Sequence, residues 1–121
     1  MRWMIALGGV LAMAACSPTT SPEETKDQQG TPQAELIGQG ETIAVTLCAG
    51  CHAVGETGES PHSDAVPFRQ LSWMYPVETL AEPLSEGIIV GHPDMPEWQF
   101  EPQDTDALLA YIESIQEPQE T

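Results

Sequence analysis

The chain has 121 residues, 40% of them hydrophobic, and sets 3 Lys+Arg against 19 Asp+Glu for a formal net charge of −16 at pH 7. That surface excludes nucleic acid as a partner, since a phosphate backbone is held by clustered basic side chains, and it either keeps the chain soluble or steers it to basic docking faces. Three cysteines, two of them close together, exclude a disulfide framework, so a domain this small needs a different staple, a metal or a large buried cofactor.

Residues 1–15 have the pattern of an export leader: a charged start at Arg2, an apolar run from Met4 to Ala15, and small residues at its end. About twelve apolar residues are too few to span a bilayer comfortably. Leu11-Ala12-Met13-Ala14-Ala15-Cys16 resembles the lipobox of bacterial lipoproteins, with Met13 where Leu is commonest. The resemblance implies cleavage before Cys16 and acylation of its sulfur, which would anchor the chain to a membrane; ordinary cleavage after Ala14 is the alternative. Residues 16–34 carry Ser, Thr, Pro, Glu, Gln, Asp and Gly without a large apolar side chain. They read as an acidic, Pro-rich disordered tether with a typical span of about 20 to 25 Å.

The foldable part is expected to run over 35–117, with 118–121 as a short disordered tail. From Glu35 to Cys48, the residues Leu36, Ile37, Gly40, Ile43, Ala44 and Leu47 recur at spacings of three and four, which predicts an amphipathic first helix leading into the cysteines. Cys48-Ala49-Gly50-Cys51-His52 then matches C-x-x-C-H, the signature of covalent c-type haem attachment. Two thiols three residues apart on a helical turn can reach two vinyl groups of a porphyrin, and the next residue lies under the iron. Cys48 and Cys51 are the expected thioethers and His52 the expected axial ligand. A zinc site lacks further ligands at finger-like spacing, since His62 and His92 stand apart in sequence. A thioredoxin-like pair would follow a strand, and a plain disulfide gives no role to His52.

Prolines and glycines from Gly55 to Pro96 break the middle into short helices and loops, with Val77–Gly87 as the best intermediate helix. Candidates for a sixth iron ligand are Met74, Met95, His62 and His92. Met95 is favoured because Pro93 and Pro96 restrict the backbone of Gly91-His92-Pro93-Asp94-Met95-Pro96-Glu97-Trp98 and could hold a thioether against the iron. His92, three residues away, stays open as the rival; Met74, between Trp73 and Tyr75, reads as core filler. The last helix is expected over Leu108, Leu109, Tyr111, Ile112 and Ile115, with Asp104 or Thr105 as N-cap and Pro118 as stop. Haem propionates need donors, and in so acidic a chain Arg69, Trp73, Tyr75 and Trp98 are the candidates.

With both motifs in hand, the stretch from Glu35 to Ile115 resembles a class I cytochrome c, in particular the small bacterial monohaem type with a Gly-His-Pro-Asp-Met-Pro loop. The resemblance implies an all-α fold, three to five helices wrapped around one covalently attached haem c. It implies that the last helix crosses the first at Gly40 with Tyr111 at the crossing, although Ala44 stands where the family often has an aromatic. It also implies that a proline carbonyl accepts a hydrogen bond from His52, with Pro61 as the match and Pro67 as second choice. The implied function is single-electron transfer, not substrate turnover, by a monomer between redox proteins on the periplasmic side of a bacterial membrane, lipid-anchored or soluble. The alternatives are a haem subunit of a larger dehydrogenase or oxidase complex and a small haem peroxidase.

Overall fold

The computed structural model describes residues 30–87 and 91–119. The leader, Cys16, most of the tether and the apolar run 88–90 lie outside the described residues.

Helix α1 spans Pro32–Ile43. It starts three residues before the expected boundary, so 32–34 belong to the helix and not to the tether. The physical reason lies in Thr31, whose Oγ1 accepts from the Ala34 amide at 3.3 Å, and in Pro32, whose fixed φ and missing N–H suit the first helical position. The helix runs on into a π turn, Ala44–Cys48, closed by a hydrogen bond from the Ala49 amide to the Ala44 carbonyl at 3.1 Å. The wider turn shifts the phase of the apolar stripe: Gly40, Ala44 and Cys48 are buried, while Leu47, expected inward, is 39% exposed.

A long loop leads to a 3₁₀ helix, Phe68–Trp73, and a second 3₁₀ turn, Val77–Leu80, passes into α2, Ala81–Glu86, as the predicted helix over Val77–Gly87 requires. Gly87 closes α2 in the left-handed region, at φ +74, where a glycine pays no steric penalty. The last helix, α3, spans Pro102–Ser114. Its N-cap is Glu101, not Asp104 or Thr105, because Pro102 occupies the first helical position. Asp104, in the first turn, instead accepts from Gln39 Nε2 on α1 at 2.7 Å, and Thr105 is buried. The helix ends at Ser114, before the proline expected to stop it.

No strand occurs among the described residues, and the fold is all-α. Helices α1 and α3 pack most extensively, crossing at Gly40, where a Cβ would overlap the Ala107 carbonyl oxygen and lie 2.7 Å from Tyr111 Cβ. Ala44, in the place of the family's aromatic, is fully buried beside this crossing in one core with Leu108, Tyr111 and Ile112. Gly40 on α1 and Ala44 just after it thus let two helix backbones approach closely, and the described 3₁₀ turns and α2 pack beside α3.

Candidate cofactor site

The π turn of α1 delivers Cys48 to the core and the following turn presents Cys51 and His52. The amides of Cys51 and His52 both donate to the Cys48 carbonyl, at 3.1 and 2.9 Å, which folds the C-x-x-C-H run into a tight helical turn. Cys48 is buried, Cys51 is half-buried, and both are unbridged. Burial, aided by neighbouring Cys51, pushes the Cys48 thiol up to about 11. A redox-active dithiol needs the opposite shift, and a thioredoxin-like pair would follow a strand where a helix stands here.

His52 Nδ1 donates to the Val66 carbonyl at 2.7 Å. This corrects the expectation of a proline carbonyl: Pro61 is exposed and off the ring, and the acceptor belongs to the residue before Pro67. Pro67, at φ −55 and ψ 138, leads straight into the 3₁₀ helix, and a residue before proline is biased away from helical backbone, so the Val66 carbonyl lies outside the helix that follows. With its proton on Nδ1, the imidazole offers Nε2 as a lone-pair donor. Burial lowers the His52 pKa below the usual imidazole value, against the opposing hydrogen bond to Val66, and nearby His92 and His62 add to the lowering. The ring is therefore neutral at pH 7, the form that binds a metal.

His52 faces a cavity of about 230 Å³ with largely apolar walls. Phe68, Leu71, Leu84, Leu108 and Ile112 form its floor, and Met95, His92 and Trp98 close it from the loop before α3. A smaller opening is lined by Cys48, Cys51, His52, Met95 and Trp98. The donor set fits a covalently bound, axially ligated porphyrin: two thiols, one oriented imidazole and one thioether around an apolar slot. A further sign of fit is His92, 9% exposed, neither of whose ring nitrogens has a hydrogen-bond partner among the described residues.

Of the proposed propionate donors, Tyr75 and Trp98 line the cavity, with Trp98 stacked on Phe100 at 5.7 Å. Arg69 and Trp73 do not. Arg69 is buried but turned to the C-terminal segment, its Nε 3.0 Å from Glu117 Oε1, and the Trp73 indole N–H donates to the Glu117 carbonyl at 2.9 Å. The chain after α3 returns over the 3₁₀ helix that carries them and occupies the Trp73 indole and the Arg69 Nε, while Arg69 Nη1 is buried without a hydrogen-bond partner among the described residues. Met74, expected as core filler, is 65% exposed at the cavity rim.

Sequence reasoning missed two participants, the Val66 carbonyl and Phe68, and the contacts of a third residue, His62, which it had named only as a candidate ligand. The Val66 carbonyl carries no side-chain signal. Phe68 packs against the His52 ring at 5.1 Å. His62, distant in sequence from His92, stacks on it at 5.0 Å and pairs with Asp94 at 3.2 Å; only the two histidines flanking the prolines hinted at this. Among the described residues no group of three or more His, Cys, Asp and Glu side chains surrounds a metal position.

The family model described as Cytochrome c matches residues 37–116. No curated protein and no solved structure matches the chain.

Proposed function

Because the chain belongs to the cytochrome c family and so carries covalently attached haem c, we propose that it is a class I, bacterial, monohaem electron carrier in which Cys48 and Cys51 form the thioethers and His52 and Met95 the axial ligands. The haem supplies a one-electron couple, and Met/His ligation raises its potential relative to two imidazoles. The residues do the rest. Val66 orients His52 and makes its ring more basic, the apolar walls exclude water, and the Met95 thioether, once bound to the iron, would leave no site open to peroxide or oxygen. The single observation that carries this assignment is that His52, with Nδ1 committed to Val66, shares its cavity with the Met95 side chain.

The test is the spectrum and mass of the holoprotein matured in a host competent for haem attachment. Expected are a mass of polypeptide plus one haem and a weak near-infrared band of iron–sulfur ligation that disappears in Met95→Leu. A high-spin ferric spectrum with rapid peroxide turnover would make the chain a peroxidase instead, and stable co-purification with other subunits would make it part of a complex.

The protein works, on this proposal, on the periplasmic side of a membrane, anchored by acylated Cys16. The lipobox-like run supports this, and an intact mass that includes acyl chains tests it. The excess of 19 acidic over 3 basic residues favours partners with basic docking faces. Electron transfer to such a partner is expected to slow as ionic strength rises; a flat profile would remove charge steering from the account.

A further inference from the structure

His92 buries two polar atoms that have no hydrogen-bond partner among the described residues. Its ring is nevertheless held in place. One face stacks on His62, with ring centroids 5.0 Å apart and planes inclined by 21°. His62 is fixed in turn: its Nδ1 accepts from the Asp64 amide at 3.2 Å, which leaves the Nε2–H to donate to Asp94 Oδ2 at 3.2 Å. The loop bearing Met95 is thereby pinned, through the residue next to Met95, to the segment that follows His52, with His92 clamped against the pin.

The centroid of the His92 ring lies 5.9 Å from that of His52. Two imidazoles sharing one metal ion through metal–nitrogen bonds of about 2 Å bring their ring centres to roughly this separation. His52, His92 and Met95 line the same two cavities. A buried histidine whose only role is packing normally satisfies at least one ring nitrogen.

Resting on the assignment of Met95 as resident ligand, we propose that His92 is a reserve axial donor. When the iron–sulfur bond to Met95 breaks, a His92 nitrogen lone pair forms an iron–nitrogen bond in its place. The exchange moves no electron, so iron keeps its oxidation state and the sixth position stays filled. Two consequences follow: peroxide gains no open site, and the exchanged form has the lower potential of bis-imidazole ligation.

The experiment compares ferric holoprotein, Met95→Leu and Met95→Leu/His92→Leu by optical and electron paramagnetic resonance spectra at neutral pH, with potentials by redox titration. Expected are a low-spin wild type with the near-infrared band, a Met95→Leu variant that is still low-spin but lacks the band and has a lower potential, and a high-spin double variant. A Met95→Leu/His92→Gln variant keeps side-chain volume and polarity at the buried site; it must also be high-spin, which guards against misfolding of the leucine version. A Met95→Leu variant that is already high-spin overturns the reserve role while leaving the electron-carrier assignment intact. So does a double variant that stays low-spin, since another residue would then be the donor. A wild type without the near-infrared band overturns the assignment of Met95 itself.

Discussion

Gly40 and Tyr111 show how single positions set the geometry of this molecule. A methyl group at Gly40 meets backbone of α3, which cannot yield as the end of a flexible side chain would. Gly40→Ala is therefore expected to destabilise the holoprotein by about 1–3 kcal/mol or more, as overpacking does; a denaturant midpoint shift worth less than about 0.5 kcal/mol would contradict the crossing described here. Tyr111, 6% exposed, donates its hydroxyl to the Val54 carbonyl at 2.8 Å and so ties α3 to the loop just after His52. Tyr111→Phe leaves that carbonyl without its partner and should cost about 0.5–1.5 kcal/mol. Burial, with smaller contributions from Glu41 and Glu56, raises the Tyr111 pKa above the ordinary 10.0. Between the unfolded and folded values the native state holds the extra proton, so this stabilisation is complete below pH 10 and is lost as pH rises through the folded value. The stability of Tyr111→Phe should accordingly fall less steeply than wild type in alkaline solution. A residual slope is expected from Tyr75, whose pKa burial also raises.

At the scale of elements, the segment after α3 acts as a clasp on the 3₁₀ helix Phe68–Trp73. Gln116 donates from Nε2 to the Phe68 carbonyl at 2.7 Å and accepts from the Ser72 amide at 2.8 Å. The Glu117 amide donates to the Arg69 carbonyl at 2.8 Å while its carboxylate meets the Arg69 guanidinium. This 3₁₀ helix supplies Phe68 and Leu71 to the cavity and begins one residue, Pro67, after Val66, the orienter of His52. Losing the clasp should loosen the cavity wall without touching a ligand. Breaking a buried ion pair costs about 3–5 kcal/mol, but Glu117 is 41% exposed and water can take over part of its role. Glu117→Ala is expected to lower stability by about 1–2 kcal/mol. Thermal unfolding followed at the haem absorbance checks this, and an unchanged midpoint would show that the Glu117 carboxylate adds nothing to the clasp.

For the whole molecule, the decisive quantity is the cavity. Leaving about 230 Å³ of apolar space unfilled costs at most about 5 kcal/mol at the rate measured for core cavities, less where water enters. A typical domain has only roughly 5–15 kcal/mol in total, so this fold depends on what fills it. The double variant Cys48→Ser/Cys51→Ser, unable to form thioethers, is expected to lose cooperative unfolding and bind a hydrophobic dye, the marks of an expanded, loosely packed state. A sharp two-state melt in that variant would show that the helices suffice by themselves.

The residues 48–52, the Met95 loop and the helices α1 and α3 were legible in the amino-acid sequence because each depends on local spacing: thiols three apart, prolines around a thioether, apolar residues at a helical period. The same locality explains the errors. Thr31 and Pro32 start α1 and Pro102 starts α3, signals outweighed by the apolar pattern further in. Arg69 and Trp73 were assigned by chemical type, yet Glu117, 48 residues beyond Arg69, holds the Trp73 indole and the Nε side of the Arg69 guanidinium, whose Nη1 keeps no partner among the described residues. The carbonyl that orients His52 and the meeting of His62 with His92 could not be read either. Chemistry that needs residues within one turn of helix is written in sequence order, whereas a hydrogen bond to a backbone carbonyl or a stack between two loops exists only once folding has brought distant segments together. The sequence alone thus determined which atoms could bind the cofactor, and the tertiary structure decided which side chains face it and which brace its walls.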